Sequence, residues 1–177
     1  MFIAGIDPGL SGAVAVLAPE GTLVALTDIP TLTISTSRGG RQEYDVPGMT
    51  ALVARHGDQG LHAILEESQA MPGQGVRSMF TVGLGFGLWL GILAALGIPY
   101  TRVRPADWKR ALGLVGKDKE QARLRAMQLF PRAELRLKKH HGRAEALLLA
   151  WHGWQMVGSV ARRQRTAQYA AEAAIRR

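Results

Sequence analysis

Four carboxylates stand where the surrounding sequence is apolar. Asp7 follows the run Phe2–Ile6, the pair Glu66 and Glu67 follows the run Leu61–Leu65, and Glu145 is the only acid between Gly142 and Met156. The other ten of the fourteen acids lie in polar or turn-like stretches, where solvated surface accounts for them. An unpaired carboxylate beside apolar sequence costs free energy to desolvate. Two strand ends and one helix start can converge on a common point, and carboxylates gathered there repel one another. Hard divalent cations with oxygen ligands, Mg²⁺ or Mn²⁺, are the usual compensation. The chemistry that follows is metal-assisted attack of water on a phosphodiester. Two plainer readings stand beside it. Asp-Pro-Gly is a turn signal in which the carboxylate bonds nearby amides, and each acid can pair with a neighbouring cation, as Arg143 beside Glu145 suggests. His140 and His141 precede Glu145 by five and four residues. The i, i+4 spacing selects His141, whose imidazole on Glu145's helical face could bind metal or move a proton, against a solvated His pair as the alternative.

The elements that must carry these groups follow from punctuation and periodicity. Phe2–Ile6 and Ala13–Leu17 read as strands joined by the Asp-Pro-Gly turn, where Gly9 and Gly12 would let a DNA backbone come close. A third strand, Thr22–Ile29, completes an antiparallel meander. Thr31–Asp45, rich in Ser, Thr, Gly and Arg, reads as a mobile surface loop whose Arg38 and Arg41 could touch phosphate. Val46–His56 has helical spacing, Leu61–Leu65 is a fourth strand and Pro99–Val103 a fifth. Between them, Gln69–Met79 is a flexible loop and Phe80–Gly97 an uncharged stretch with five glycines. That stretch is short for a membrane span and lies inside an α/β pattern, so it is read as a helix of a soluble domain. Gly83, Gly87 and Gly91 then share one face on which another backbone could pack. GLGFG lacks the strand and spacing of a dinucleotide loop, so no nucleotide cofactor is expected. Pro105–Leu114 and Lys117–Phe130 read as helices, the second capped by Asp118, and Gly142–Met156 as a buried helix.

Composition bounds the class. With 177 residues, 47% of them apolar, the chain suits one packed domain, taken as residues 1–158, with a basic helical tail over 159–177. The formal charge of +8 predicts a polyanionic partner, nucleic acid ahead of an anionic membrane surface. The absence of cysteine excludes disulfides and thiolate metal sites. The N-terminus lacks the pattern of a secretory signal, so the expected compartment is the cytoplasm of a bacterial or phage-infected cell, with an organelle as the other option.

GIDPGLSGA, ILEESQAMPGQGVRSMF, the PADWKRALGL and KDKEQAR pair, and HHGRAEALLLA occur in this order between Phe2 and Trp151. Together they resemble the RuvC family of Holliday junction resolvases, in its shorter phage and organelle forms, within the ribonuclease H-like superfamily. The resemblance implies a three-layer α/β fold with a mixed five-stranded sheet, its first three strands antiparallel, flanked by helices. It implies a homodimer that nicks four-way DNA junctions symmetrically and leaves 5′-phosphates. Two divalent ions, Mg²⁺ with Mn²⁺ as a substitute, would be held by Asp7, Glu66 and Glu145. The fourth catalytic position would fall to His140 or His141, His141 being chosen on spacing. Lys109, Lys117 and Lys119 match the family's DNA-contacting region, and Arg77 and Arg143 are counted with these nucleic-acid-binding cations. The loop from Gln69 to Arg77 would lie at the junction centre, with Met71 as a wedge between bases, and the glycine-faced helix would form the dimer core. Other readings are a related nuclease acting on structured RNA or flap DNA, and a non-catalytic basic DNA-binding protein. An actin-like kinase or ATPase is disfavoured, because it would need a second comparable domain.

Overall fold

Short apolar runs without polar alternation can be buried on both faces, and they form the centre of the sheet. The computed structural model describes residues 1–37, 39–69 and 73–157. Strand β1 (Phe2–Ile6) pairs antiparallel with β2 (Ala13–Leu17), and β2 with β3 (Leu23–Asp28) through a bulge at Val16 and Leu17. On the other side β1 pairs parallel with β6 (Leu61–Glu66), and β6 with β7 (Tyr100–Val103). The order β3-β2-β1-β6-β7 is the mixed five-stranded sheet expected from the sequence, with its first three strands antiparallel.

Helices cover both faces. Helices α1 (Val46–Gly57) and α2 (Val76–Ala95) bury Met49, Val53, Trp89 and Leu93 against Ala4, Ile6, Val14 and Leu65. On the opposite face α3 (Pro105–Ala111), α4 (Lys119–Leu129) and α5 (141–157) bury Trp108, Ala126 and Leu147 with Ile3, Ala15 and Ile64. Asp118 caps α4 as expected, its side chain accepting from the Gln121 amide at 2.8 Å.

The segment Thr31–Asp45 corrects the sequence reading. It is a hairpin, β4 (Thr31–Thr36) paired antiparallel with β5 (Gly39–Tyr44), separate from the main sheet. Polar and apolar residues alternate in β4, with Leu32 and Ile34 between Thr31, Thr33 and Ser35, and β-branched residues favour strands even where apolar content is low. The Thr33–Gln42 cross-strand hydrogen bond of 2.8 Å supports the pairing. Arg41 pairs with Glu43 within this hairpin, while Arg38 lies outside the described residues.

Helix α2 starts at Val76, four residues before the expected start. By length and composition it could cross a membrane, yet its Gly85, Trp89, Ile92 and Leu93 stripe is buried on the sheet. A Cβ built on Gly83, Gly87 or Gly91 meets nothing within 4 Å, so among the described residues no backbone packs on this face.

Helix α5 packs backbone to backbone on β1 and the turn that follows it. A Cβ on Gly5 would lie 2.1 Å from the Ala146 carbonyl oxygen and 2.3 Å from the Ala150 nitrogen. One on Gly142 would lie 2.1 Å from the Ser11 carbonyl oxygen. Backbone rests on backbone at both places, and neither neighbour can rotate away. Gly5→Ala and Gly142→Ala should therefore each lower the unfolding free energy by about 3 kcal/mol or more, or prevent folding. Gly57→Ala, at a helix end open to solvent, should stay within about 1 kcal/mol of wild type. Urea unfolding of the three variants checks the contrast.

Candidate active site

The pleat carries two of the carboxylates to one face. Ile3 and Ile64 face the α5 side of the sheet, while Ala4, Ile6 and Leu65 face the α2 side. Side chains alternate along a strand, so Asp7, two residues beyond Gly5, and Glu66, two beyond Ile64, turn toward α5. The parallel register pairs Ile6 with Leu65, which places Asp7 and Glu66 at adjacent strand ends. Glu145 lies one residue before Ala146, at the contact between α5 and Gly5, with its side chain 12% exposed. Asp7 feels the charges of both other acids, and Glu66 feels that of Glu145. Burial first, then the charges of Glu66 and Glu145, push the Asp7 carboxyl up to about 7 from its ordinary 3.8. The Gly9 amide, donating to Asp7 Oδ1 at 3.3 Å, and Lys119 offset part of that rise. Burial also raises Glu66, against a hydrogen bond from Trp108, and Glu145's charge raises it further.

Glu66 and Glu67 divide by face. Glu66 Oε1 accepts from the buried Trp108 indole at 2.8 Å. Glu67 points elsewhere, to Arg102 at 3.6 Å. Trp108 was not among the expected site residues, although the signal was present: an aromatic inside the basic stretch PADWKRALGL. Its neighbour Lys109 sits 3.5 Å from Glu145 and 5.1 Å above the Trp108 ring. One short helix thus supplies a donor to Glu66 and a cation to Glu145.

The remaining candidates separate. Arg143, expected at nucleic acid, is instead a structural clasp. It grips Asp28 through two hydrogen bonds of 2.6 and 2.8 Å and reaches Glu134 at 3.1 Å. Two carboxylates occupy its donors, and it does not pair with Glu145. Lys119, the first residue of α4, is exposed and its charge reaches both Asp7 and Glu66. Lys117 is exposed in the turn before α4, and Arg77 is exposed in the first turn of α2. His141 opens α5 one turn before Glu145. His140 is buried in a 3₁₀ turn, with Nδ1 lacking a hydrogen-bond partner among the described residues. Met71 and the tail from 158 onward lie outside the described residues. Gly12 is required by the turn itself, since a Cβ there would lie 2.1 Å from the Asp7 carbonyl oxygen.

Among the described residues no group of three His, Asp or Glu is arranged, as the side chains stand, to hold a metal ion. The donor chemistry nevertheless fits a hard cation. Asp7, Glu66 and Glu145 offer oxygen alone, two of them are pushed toward protonation by burial and mutual repulsion, and Asp7 makes no ion pair among the described residues. A divalent cation would relieve that repulsion once the side chains turned toward one another.

The raised Asp7 value has a consequence for stability. Between about pH 4 and pH 7 the folded state binds a proton that the unfolded chain has released, so stability falls as pH rises and the penalty persists above pH 7. In EDTA, Asp7→Asn should therefore match wild type near pH 4 and exceed it at pH 8, by on the order of 2 kcal/mol after allowance for solvent screening. Urea unfolding at the two pH values checks this, and parallel pH dependence in both proteins would contradict the coupling.

No family model matches the chain. Over 93 residues it is 39% identical to the chloroplastic Holliday junction resolvase MOC1 of Chlamydomonas reinhardtii, a match covering 51% of this chain and 10% of that protein. The chain thus spans about a tenth of the length of that curated relative. Thermus thermophilus RuvC in complex with a Holliday junction substrate superposes with a TM-score of 0.62 at 22% identity, covering 86% of this chain and 92% of that one. A second Thermus thermophilus RuvC structure gives 0.57 at 22% identity, covering 90% and 97%. The sheet order, the three layers and these superpositions together identify the fold of this chain as that of RuvC, of the ribonuclease H-like type.

Proposed function

We propose that this chain is a metal-dependent endonuclease that nicks four-way DNA junctions symmetrically as a homodimer, leaving 5′-phosphates. The observation that carries the reading is the convergence of Asp7, Glu66 and Glu145 beneath α5, with Lys109 and Lys119 beside them. Its substrate is supported by the relative named as a Holliday junction resolvase and by the RuvC structure that contains a junction.

Asp7, Glu66 and Glu145 would hold Mg²⁺, or Mn²⁺ in its place, with two ions per site. Such ions, when bound, lower the pKa of water and stabilise a leaving 3′ oxygen. The chain's own groups prepare the site. The Trp108 indole fixes one oxygen of Glu66, and the Gly9 amide fixes one of Asp7. Outer hydrogen bonds of this kind set the direction in which a ligand's free lone pairs point. Lys109 neutralises Glu145 and, released from it, can take a phosphate oxygen. Lys117, Lys119 and Arg77 supply exposed cations that position the backbone without reading sequence. His141, one helical turn before Glu145, would accept or return a proton.

The dimer is assigned to α2. Its outer face carries the open glycines Gly83, Gly87 and Gly91 beside Val76 and Phe80, which are 80% and 71% exposed. Two helices can approach closely where both lack side chains, and joining them would cover the apolar groups around the glycines.

Asp7→Asn should abolish cleavage of a synthetic four-way junction in Mg²⁺ or Mn²⁺ while leaving junction binding intact. Full activity in that variant would remove the assigned site. Flap DNA, duplex DNA and structured RNA in the same assay decide the substrate. Preferential cleavage of structured RNA or flap DNA would replace the junction reading, and binding without cleavage would indicate a DNA-binding protein. Affinity should fall with salt at about −0.9 in log K against log salt for each phosphate contacted. Gly87→Leu should shift the protein to monomers in sedimentation, and an unchanged dimer would move the interface off this face.

A further inference from the structure

Tyr44, the last residue of β5, is buried on the α2 side of the sheet, and its hydroxyl lies 3.2 Å from two backbone carbonyl oxygens, those of Pro8 and Thr81. Pro8 belongs to the turn that follows Asp7, and Thr81 to α2. A phenol has one proton, so the two carbonyls share it. The space is kept by Gly85, where a Cβ would lie 2.2 Å from the Tyr44 hydroxyl and 2.5 Å from the Pro8 oxygen. The ring itself is well placed. Tyr44 pairs with Thr31 at the base of the hairpin, the next amide, Asp45, donates to Pro30 at 3.0 Å, and Asp45 caps α1 through the Gly48 amide at 3.1 Å.

The Pro8 carbonyl and the Gly9 amide are two ends of one planar peptide group. Tyr44 donates to the carbonyl end at 3.2 Å, and the amide end donates to Asp7 Oδ1 at 3.3 Å. We propose that Tyr44 is a positioning residue for Asp7, holding the Pro8–Gly9 peptide plane so that its amide fixes the carboxylate in the direction the site requires. The chain of contacts runs from hairpin and α2 to the carboxylate without passing through the sheet. The inference rests on the reading of Asp7 as a metal ligand. Outer partners of ligating groups typically affect metal affinity or activity by about 10–100-fold.

Tyr44→Phe keeps the ring and removes only the hydroxyl. Mn²⁺ binding to the DNA-free protein, followed by the paramagnetic signal of free Mn²⁺, should weaken by about tenfold. Junction cleavage at saturating DNA should fall by a similar factor, while the junction Kd in EDTA stays within about twofold. Unchanged Mn²⁺ affinity and cleavage at a temperature well below the melting transition would overturn the proposal and leave Tyr44 a core residue. Asp7→Asn in the same titration keeps the two ideas apart, because unaltered Mn²⁺ binding there removes the ligand reading of Asp7 itself. Wild type that binds Mn²⁺ but cleaves no junction removes the proposed function while the Mn²⁺ comparison still decides Tyr44. If Tyr44→Phe fails to fold, Gly85→Ala displaces the same hydroxyl and takes its place in the titration. Failure of both to fold assigns Tyr44 a purely structural role and overturns the inference.

Discussion

The geometry depends on α5 lying directly on the backbone of β1. Helices ordinarily pack on a sheet through their side chains. Here Gly5 and Gly142 remove the intervening atoms, so the helix backbone touches the strand at Ala146 and Ala150 and the following turn at Ser11. Ala146 and Ala150, both fully buried, form this contact. Glu145 is thereby fixed over the strand ends that carry Asp7 and Glu66. A larger residue at Gly5 would raise the helix, and Glu145 with it, away from the other two acids. The proximity that makes the site is therefore a product of packing, and the repulsion it creates opposes that packing until a cation or a proton is present.

Burial and function pull in opposite directions at the three carboxylates. Had each been paired with a buried guanidinium, the protein would avoid the desolvation penalty but lose the open coordination that a cation needs. The structure keeps the strong clasp elsewhere: Arg143 joins Asp28 at the end of β3 to Glu134, tying α5 to the edge of the sheet. At the site the compensation is weaker. A single indole N–H serves Glu66, one amide at 3.3 Å serves Asp7, and one ammonium at 3.5 Å serves Glu145. The last is a point charge on a flexible stem, able to leave without breaking a directed network.

Much of this was readable from residue order, and the failures have physical causes. The core strands are legible because burial on both faces demands uninterrupted apolar runs, and the three acids stand out because each interrupts or ends one. Glu66 is set apart from Glu67 in the sequence only by the resemblance, because a strand apolar on both faces does not tell which of two successive acids faces the site. The alternative pairing of Arg143 with Glu145 rests on adjacency, yet residues two apart on a helix do not face each other, and the partner that Arg143 takes, Asp28, is 115 residues away. Trp108 could not be connected to Glu66 from sequence, since the bond spans 42 residues and depends on α3 docking beneath α5. The hairpin β4–β5 is hidden because the short alternation of Leu32 and Ile34 in β4 stands beside Gly39–Tyr44, whose Gly and charged residues read as loop.

The Asp-Pro-Gly turn joins the bland reading to the functional one. Its carboxylate does bond a nearby amide, as such turns commonly do, but that amide is half of a peptide whose other half is held from outside the turn. A local turn bond alone lets Asp7 follow the motion of its own loop. Anchored through Tyr44 to α2 and to the hairpin base, the same bond instead refers the carboxylate to two elements outside that loop. The site is thus braced from both faces of the sheet: α5 and α3 set Glu145 and Glu66 from one side, and Tyr44 sets the turn of Asp7 from the other. If α2 forms the dimer, the partner chain rests on the helix that carries one of Tyr44's two acceptors. Assembly and carboxylate orientation then share a hydroxyl, and a shift of α2 toward the partner would be felt first at the Pro8–Gly9 peptide.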